Sequence, residues 1–346
     1  MLDSAPAPLL DGFCMPAEWE SHAGCWMAWP CRLSLWGDRL LQARVAHAAV
    51  AQAIARFEPV TMIARPEDAT EAAFACGRKI KIAPMEIDDS WLRDTGPTFL
   101  TDGEGGVAGV HWRFNGWGEK YRPHDKDETI GAAILKTLGM RCYRGPLVLE
   151  GGSIHVDGHG ALMTTEQCLL NPNRNPFTDR REIEEHLVFH LGARKVIWLG
   201  EGLTDDETDG HVDNIACFAG PGRLLLASCA DPADPDYAIL ADNRERLEAA
   251  HDAQGRPLEI LDLPLPERPP HPKGGRLPAS YLNFYLANGA VIAPAFNDPN
   301  DNKAAEILAR AFPDRQVVQI RADDLIYGGG GIHCITQQQP AGRPIA

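Results

Sequence analysis

The stretch Ile215-Ala216-Cys217-Phe218-Ala219-Gly220-Pro221-Gly222-Arg223-Leu224-Leu225-Leu226-Ala227 reads as two short strands, Ile215–Phe218 and Leu224–Ala227, joined by the turn signal Pro221-Gly222. A helical pattern over Tyr237–Ala250 follows, and then a short apolar run, Leu258–Leu263. The unit is therefore strand, strand, helix, strand. A polar segment, Glu207–Asn214, leads into it.

The same order recurs along the chain. Helices are predicted over Asp38–Phe57, Lys126–Leu138, Asp179–Leu191, Tyr237–Ala250 and Asn302–Phe312. In the last of these, Ala304, Ile307, Leu308 and Ala311 recur at helical spacing, and Asp301 or Asn302 can cap the start. Each helix is followed by a short run: Val60–Ala64, Arg141–Tyr143, Lys195–Leu199, Leu258–Leu263 and Gln316–Ile320. After each run comes a polar, glycine-rich segment: Asp88–Pro97, Leu149–Ser153, Glu207–Asn214, Leu277–Asn283 and Tyr327–Cys334. Hairpin turns at Asp102-Gly103, Asp157-Gly158, Pro221-Gly222 and Asn288-Gly289 follow four of them. The turn glycines are 55, 64 and 67 residues apart, close to one fifth of the 346-residue chain. Units that each bury one face must close on one another, and a closed ring of five brings its polar segments toward one axis. An ordinary α/β sandwich with coincidental spacing is the plainer alternative.

Composition narrows the function. Hydrophobic residues make up 44% and charged residues 23% of the chain, which suits a globular protein with a sizeable core. With 33 Lys and Arg against 48 Asp and Glu, the net charge is −15, and no basic run offers a phosphate footprint for nucleic acid. Nine cysteines are scattered without a C-x-x-C pair, which argues against a disulfide framework or a zinc cage and for a reducing compartment. The segment Met1–Cys14 lacks the basic and apolar regions of a signal peptide, and no apolar run is long enough to span a membrane. A soluble, cytoplasmic protein is expected.

Four segments carry chemistry. In Gly328-Gly329-Gly330-Gly331-Ile332-His333-Cys334, a glycine run weakens the fold unless the backbone needs positive φ or close approach to a ligand, and Cys334 is presented just beyond it. The plainer reading of Cys334 is an inert buried thiol. In Glu207-Thr208-Asp209-Gly210-His211-Val212-Asp213-Asn214, an extended backbone puts His211 and Asp213 on one side, an arrangement that orients a general acid–base. In Asp88-Asp89-Ser90-Trp91-Leu92-Arg93-Asp94, carboxylates bracket an aromatic and an arginine. A carboxylate can grip a guanidinium in a bidentate fork, and an aromatic face can stack on it. Leu149-Glu150-Gly151-Gly152-Ser153 holds a carboxylate against a glycine pair. His155 and His159 flank the Asp157-Gly158 turn and read as hairpin residues rather than a metal site.

Together these segments resemble the agmatine deiminase family, within the guanidine-modifying enzymes that include bacterial peptidylarginine deiminases. The resemblance covers nearly the whole chain. It runs from Met15-Pro16-Ala17-Glu18-Trp19-Glu20 and Trp26-Met27-Ala28-Trp29-Pro30, through Trp91–Pro97, Glu150–Gly152 and Glu207–Asp213, to Gly329–Pro340. It implies the pentein fold, an α/β propeller of five ββαβ units in a single catalytic domain. It implies Cys334 as nucleophile, His211 as acid–base, Asp94 and Asp213 as guanidinium-binding carboxylates, and Glu150 as a further active-site acid. Trp91, Asp88 and Asp209 are carried as substrate contacts. The implied reaction is hydrolysis of agmatine to N-carbamoylputrescine and ammonia, on a route to putrescine, with no metal or organic cofactor. The alternatives are a peptidylarginine deiminase, an amidinotransferase in which an amine replaces water, and a non-catalytic binding ring. A homo-oligomer is left open.

Overall fold

The computed structural model describes residues 7–272 and 274–346. Residues 1–6, part of the segment read above for signal-peptide features, lie outside the described residues. The chain is α/β, and among the described residues its strands form five separate sheets. Four sheets repeat one plan. The hairpin Ala216–Gly220 with Arg223–Ser228 is antiparallel, helix Pro235–Ala249 follows, and strand Glu259–Pro264 returns parallel to the second hairpin strand. The same plan joins Thr98–Thr101, Gly106–Arg113, helix Asp125–Leu138 and Cys142–Val148. It joins Ile154–Val156, Ala161–Thr165, helix Arg180–Leu191 and Lys195–Leu199. It recurs in Tyr285–Ala287, Ala290–Ala295, helix Asp301–Ala311 and Gln316–Arg321.

The fifth sheet is assembled from distant parts of the sequence. Strand His22–Ala28 leads through helix Leu40–Ile54 to the parallel strand Val60–Ala64, and its antiparallel partner is Thr336–Pro340. Trp26 ties the two across 313 residues by donating its indole N–H to Gln339 Oε1 at 2.9 Å. This accounts for the four hairpin signals in the sequence: the fifth hairpin has no turn, because its strands are separated by most of the chain. The α/β class and the ββαβ units agree with the pentein fold.

Local sequence explains the elements. Helix Arg180–Leu191 begins in a capping box, with the Asp179 side chain on the N–H of Glu182 and the Glu182 side chain on the N–H of Asp179. It buries Ile183, Leu187 and Leu191 one turn apart. In helix Asp301–Ala311 the buried residues are Ala304, Ile307, Leu308 and Ala311, as their spacing predicts. The expected cap differs. Neither Asp301 nor Asn302 caps this helix; the Asp301 carboxylate instead accepts from the N–H groups of Phe296 and Asp298 and from the Tyr281 hydroxyl. Helix Ala69–Cys76 and strand Ile80–Pro84 fall outside the fivefold rhythm, and the strand extends the fifth sheet at its edge.

The five polar segments bond to one another in cyclic order. Gly152 N–H donates to Asp94 at 2.9 Å, Glu150 faces His211 at 3.8 Å, and Ser280 donates to the Asn214 carbonyl at 2.8 Å. His333 N–H donates to the Asn283 carbonyl at 3.1 Å, and Arg93 N–H to the Cys334 carbonyl at 3.1 Å. Five separate sheets therefore meet at one polar centre.

Asp127, in the first turn of helix Asp125–Leu138, is buried and accepts the N–H groups of Asp88 and Asp89 at 2.8 and 3.2 Å. Burial pushes its carboxyl up to about 7. An unfolded chain releases this proton near ~3.9, so the folded state binds the extra proton between the two values and its stability falls as pH rises through that window. Asp127→Asn keeps an acceptor oxygen and removes the titration. Thermal melts at pH 5 and pH 8 are expected to show a smaller loss of Tm in the variant than in the wild type; identical losses would exclude this role.

Candidate active site

Cys334 lies beyond the glycine run, 6% exposed. Two of the glycines show why the run is needed. Gly329 has φ +102°, a conformation that L side chains rarely adopt, and a Cβ on Gly330 would come within 2.6 Å of the Trp91 ring and 2.9 Å of Cys334. The turn is pinned by Asn283, whose side-chain oxygen accepts the N–H of His333 at 2.9 Å and of Cys334 at 3.3 Å. The Asn283 amide donates to Cys334 Sγ at 3.2 Å. The sulfur is also 3.6 Å from Asp213 Oδ2.

Asp94 and Asp213 flank this sulfur's surroundings. Asp94 sits on the short helix Leu92–Thr95; its Oδ1 accepts the Gly152 N–H, and its Oδ2 accepts the Trp117 indole N–H at 2.9 Å. Asp213 Oδ2 accepts from His333 Nδ1 at 2.9 Å, whereas Asp213 Oδ1 is buried with no partner. An unpartnered buried carboxylate oxygen is costly, and it marks where a cationic donor would be held.

His211 is 1% exposed, with Nδ1 3.8 Å from Asp94 and Nε2 3.8 Å from Glu150. The expected extended backbone is not found: Val212–Asn214 is a 3-10 turn, with His211 just before it. His211 and Asp213 still serve one centre, because each lies close to the side-chain-free face of Gly152. A Cβ there would fall 2.7 Å from His211 Nδ1 and 2.9 Å from both Asp213 Oδ2 and Asp94 Oδ1.

Electrostatics follow from burial and charge. Burial pushes the Cys334 thiol well up, and Asp213 and Asp94 add to this. Burial alone would discharge His211, but Asp94, Cys168 and Glu150 outweigh it and hold the imidazole well above its ordinary pKa. Asp94 is raised by burial and by Asp213 and Glu150, against the pull of His211. Burial also opposes ionisation of Glu150, yet the Arg174 guanidinium at 2.8 Å holds it down at about 2.

The centre opens into a narrow pocket. Trp91, Trp117, Asp94 and Cys334 line it, along with the partly exposed Tyr121 and the exposed Glu207. Trp91 is fixed from behind: its indole N–H donates to Asp89 at 3.1 Å, and its ring stacks on Trp36.

The structure thus brings together Cys334, His211, Asp94, Asp213 and Glu150, and puts Trp91 on the cavity wall. It does not bring Asp88 and Asp209 to that wall. Asp88 accepts the backbone N–H of Lys126 at 2.9 Å, beside the start of helix Asp125–Leu138. Asp209 is held by Arg174 at 2.6 Å and Lys120 at 2.7 Å. His155 packs inside, accepting from the Phe218 N–H at 3.3 Å. Sequence reasoning missed Asn283, Trp117 and Arg174; only Trp117, set between Gly116 and Gly118, carried a local signal. Among the described residues, Glu150, Cys168 and His211 have donor atoms close enough to hold an ion. Arg174 already supplies Glu150 with positive charge.

The family model described as Porphyromonas-type peptidyl-arginine deiminase matches residues 14–340. The chain is 47% identical to the agmatine deiminase of Stutzerimonas stutzeri, covering 96% of this chain and 97% of that protein. It is 45% identical to the agmatine deiminase of Pseudomonas aeruginosa, covering 99% and 100%. The solved agmatine deiminase of Enterococcus faecalis superposes with a TM-score of 0.95 at 36% identity, covering 98% of each chain.

Gly152→Ala tests the shared centre. Its methyl would press on His211, Asp213 and Asp94 together, and displacements near ~1 Å cost on the order of a hundredfold in rate. A loss of at least that size in kcat/KM is expected, with Tm falling by only a few degrees. Activity within threefold of wild type would contradict this geometry.

Proposed function

The chain belongs to the Porphyromonas-type peptidyl-arginine deiminase family, and from that premise we propose that it hydrolyses agmatine to N-carbamoylputrescine and ammonia. The observation that carries this reading is the unpartnered Oδ1 of Asp213, buried beside the Cys334 thiol and close to Asp94. All five units serve this one catalytic domain.

The guanidinium lies between Asp94 and Asp213, and the carboxylates keep it protonated and its central carbon electrophilic. Its arrival offsets the two charges that add to burial in holding the Cys334 thiol neutral, so the thiol loses its proton to solvent and the thiolate forms. The thiolate attacks the central carbon, giving a neutral tetrahedral adduct. Imidazolium His211 protonates one terminal nitrogen, the C–N bond breaks, ammonia leaves, and an S-alkylthiouronium cation remains. Neutral His211 then takes a proton from water as its oxygen attacks the same carbon. Collapse expels the Cys334 thiolate, and loss of the hydroxyl proton gives the ureido product. Glu150, 3.8 Å from His211 Nε2, helps sustain the imidazolium charge from its far side. No step requires a metal or organic cofactor.

Agmatine is favoured over free arginine by the mouth of the cavity. Glu207, hydrogen-bonded by the Tyr121 hydroxyl, offers a partner to a terminal ammonium and repels an α-carboxylate. Peptidyl arginine would have to bring a backbone past Tyr121 and Glu207. The nine thiols are all unpaired, which suits a cytoplasmic enzyme whose nucleophile must stay reduced.

Ammonia release from agmatine, free arginine and an arginine-containing peptide tests the reading. Agmatine is expected to lead free arginine by more than about a hundredfold in kcat/KM, the equivalent of ~3 kcal/mol. Equal or better turnover of the peptide would move the activity to protein. Cys334→Ser is expected to bind agmatine with turnover lost by several orders of magnitude; a tenth of normal activity would end the covalent scheme. Glu207→Gln is expected to raise KM for agmatine about tenfold, the cost of ~1.4 kcal/mol of charge attraction. An unchanged KM would place the ammonium elsewhere.

A further inference from the structure

The run Met15–Glu20 precedes the first strand and takes no part in the chemistry above, yet one of its side chains reaches the catalytic loop. Glu18 is 4% exposed and collects three basic groups. Its Oε1 accepts from His333 Nε2 at 2.9 Å and from Arg93 Nη1 at 3.2 Å, and its Oε2 is 3.7 Å from His155. His333 precedes the nucleophile, and its other ring nitrogen bonds Asp213 Oδ2 at 2.9 Å. The imidazole therefore sits between two carboxylates. An ionised carboxylate can only accept, so both hydrogen bonds exist together only when both ring nitrogens carry protons.

We infer that Glu18 and His333 are positioning residues for the guanidinium site: Glu18 keeps His333 doubly protonated, and His333 pins Asp213 Oδ2 so that Oδ1 is turned to the substrate. Neither touches the reacting atoms. The groups facing His333 are Glu18, Asp213 and Arg93. Burial and Arg93 work against its charge, while Glu18 and Asp213 sustain it, so that its pKa is raised overall. Glu18 is itself kept ionised: burial opposes this, but His333, Arg93 and His155 prevail. The alternative role is a structural tie between an early and a late part of the chain.

Three variants separate the two roles. Glu18→Gln removes one of the two charges that sustain the His333 proton, so the proton is lost at lower pH than in the wild type. Neutral His333 can still donate to Asp213 from Nδ1, so the ratio of variant to wild-type KM for agmatine is expected to grow as pH rises from near one at pH 6 only to the modest increase expected of His333→Asn at pH 8.5, with kcat changed less than threefold. In His333→Asn the side-chain amide stands where Nδ1 stood; it can still donate to Asp213 and cannot titrate. A modest KM increase, flat with pH, is expected. His333→Leu offers no donor and is expected to raise KM at least tenfold at every pH. A purely structural tie would lower Tm and the active fraction while leaving KM of the folded protein alone in all three, and that result would overturn the proposal. So would equal KM values for His333→Asn and His333→Leu, a comparison that stands even if Glu18→Gln does not fold. The inference rests on agmatine as substrate. Wild-type turnover tests that reading, and only the variant comparison tests Glu18 and His333.

Discussion

Everything in this molecule depends on holding four carboxylates in one buried volume. Unpaired, such charges would cost several kcal/mol each. Asp94, Asp213, Glu150 and Glu18 are all nearly inaccessible to water. Each has a cationic group beside it: His211 near Asp94, His333 on Asp213, Arg174 on Glu150, and Arg93 on Glu18. With both imidazoles protonated and Cys334 a neutral thiol, the centre is balanced. A guanidinium adds one positive charge, and conversion of the thiol to a thiolate adds one negative charge. Substrate arrival and activation of the nucleophile are therefore one electrostatic event, and the resting thiol is kept unreactive by burial and by the same carboxylates that bind substrate.

Such a centre needs supports from many directions, which explains the architecture. No single hairpin could present four carboxylates, two imidazoles and a thiol without mutual repulsion along its own backbone. Here four of the five polar segments contribute one or two of these groups, Glu18 comes from the run before strand His22–Ala28, and the remaining segment, Leu277–Asn283, braces the nucleophile through Asn283. Gly152 is the point of closest approach, where the absence of a side chain lets His211, Asp213 and Asp94 share one space. Asn283 performs the corresponding task for the nucleophile by holding two successive N–H groups of the catalytic turn.

Much of this was legible in the sequence, for a physical reason. The helices carry their own apolar spacing, helix Arg180–Leu191 its own capping box, and the tight hairpins their own turn residues, so local pattern and final structure agree there. The glycines before Cys334 also announced a backbone under unusual demands. Groups acting only across long separations were not legible. Glu18 and His333 are 315 residues apart, and nothing near either one specifies the other. Asn283 lies in a segment whose apolar neighbours Leu282 and Phe284 hide it. Asp88 and Asp209 misled because an acid in a glycine-rich stretch looks available for a ligand. Their oxygens are occupied by a backbone N–H at the start of a helix and by Arg174 and Lys120. The extended reading of Gly210–Asp213 failed because a 3-10 turn there brings His211 and Asp213 to the same glycine by a different route.

The pairing of His22–Ala28 with Thr336–Pro340 has a consequence in time. A chain is made from its amino end, so Glu18, Asp94, Glu150, His211 and Asp213 all exist before Cys334 does. While the ribosome is still adding residues, the sheet built on His22–Ala28 lacks its antiparallel neighbour, and Glu18, though it already has Arg93 and His155, lacks His333. The late strand supplies both at once, and it draws the thiol into place as it zips onto the early one. Birth of the reactive group coincides with the act that encloses it, so a partly made chain offers no working nucleophile to the cell's free guanidines.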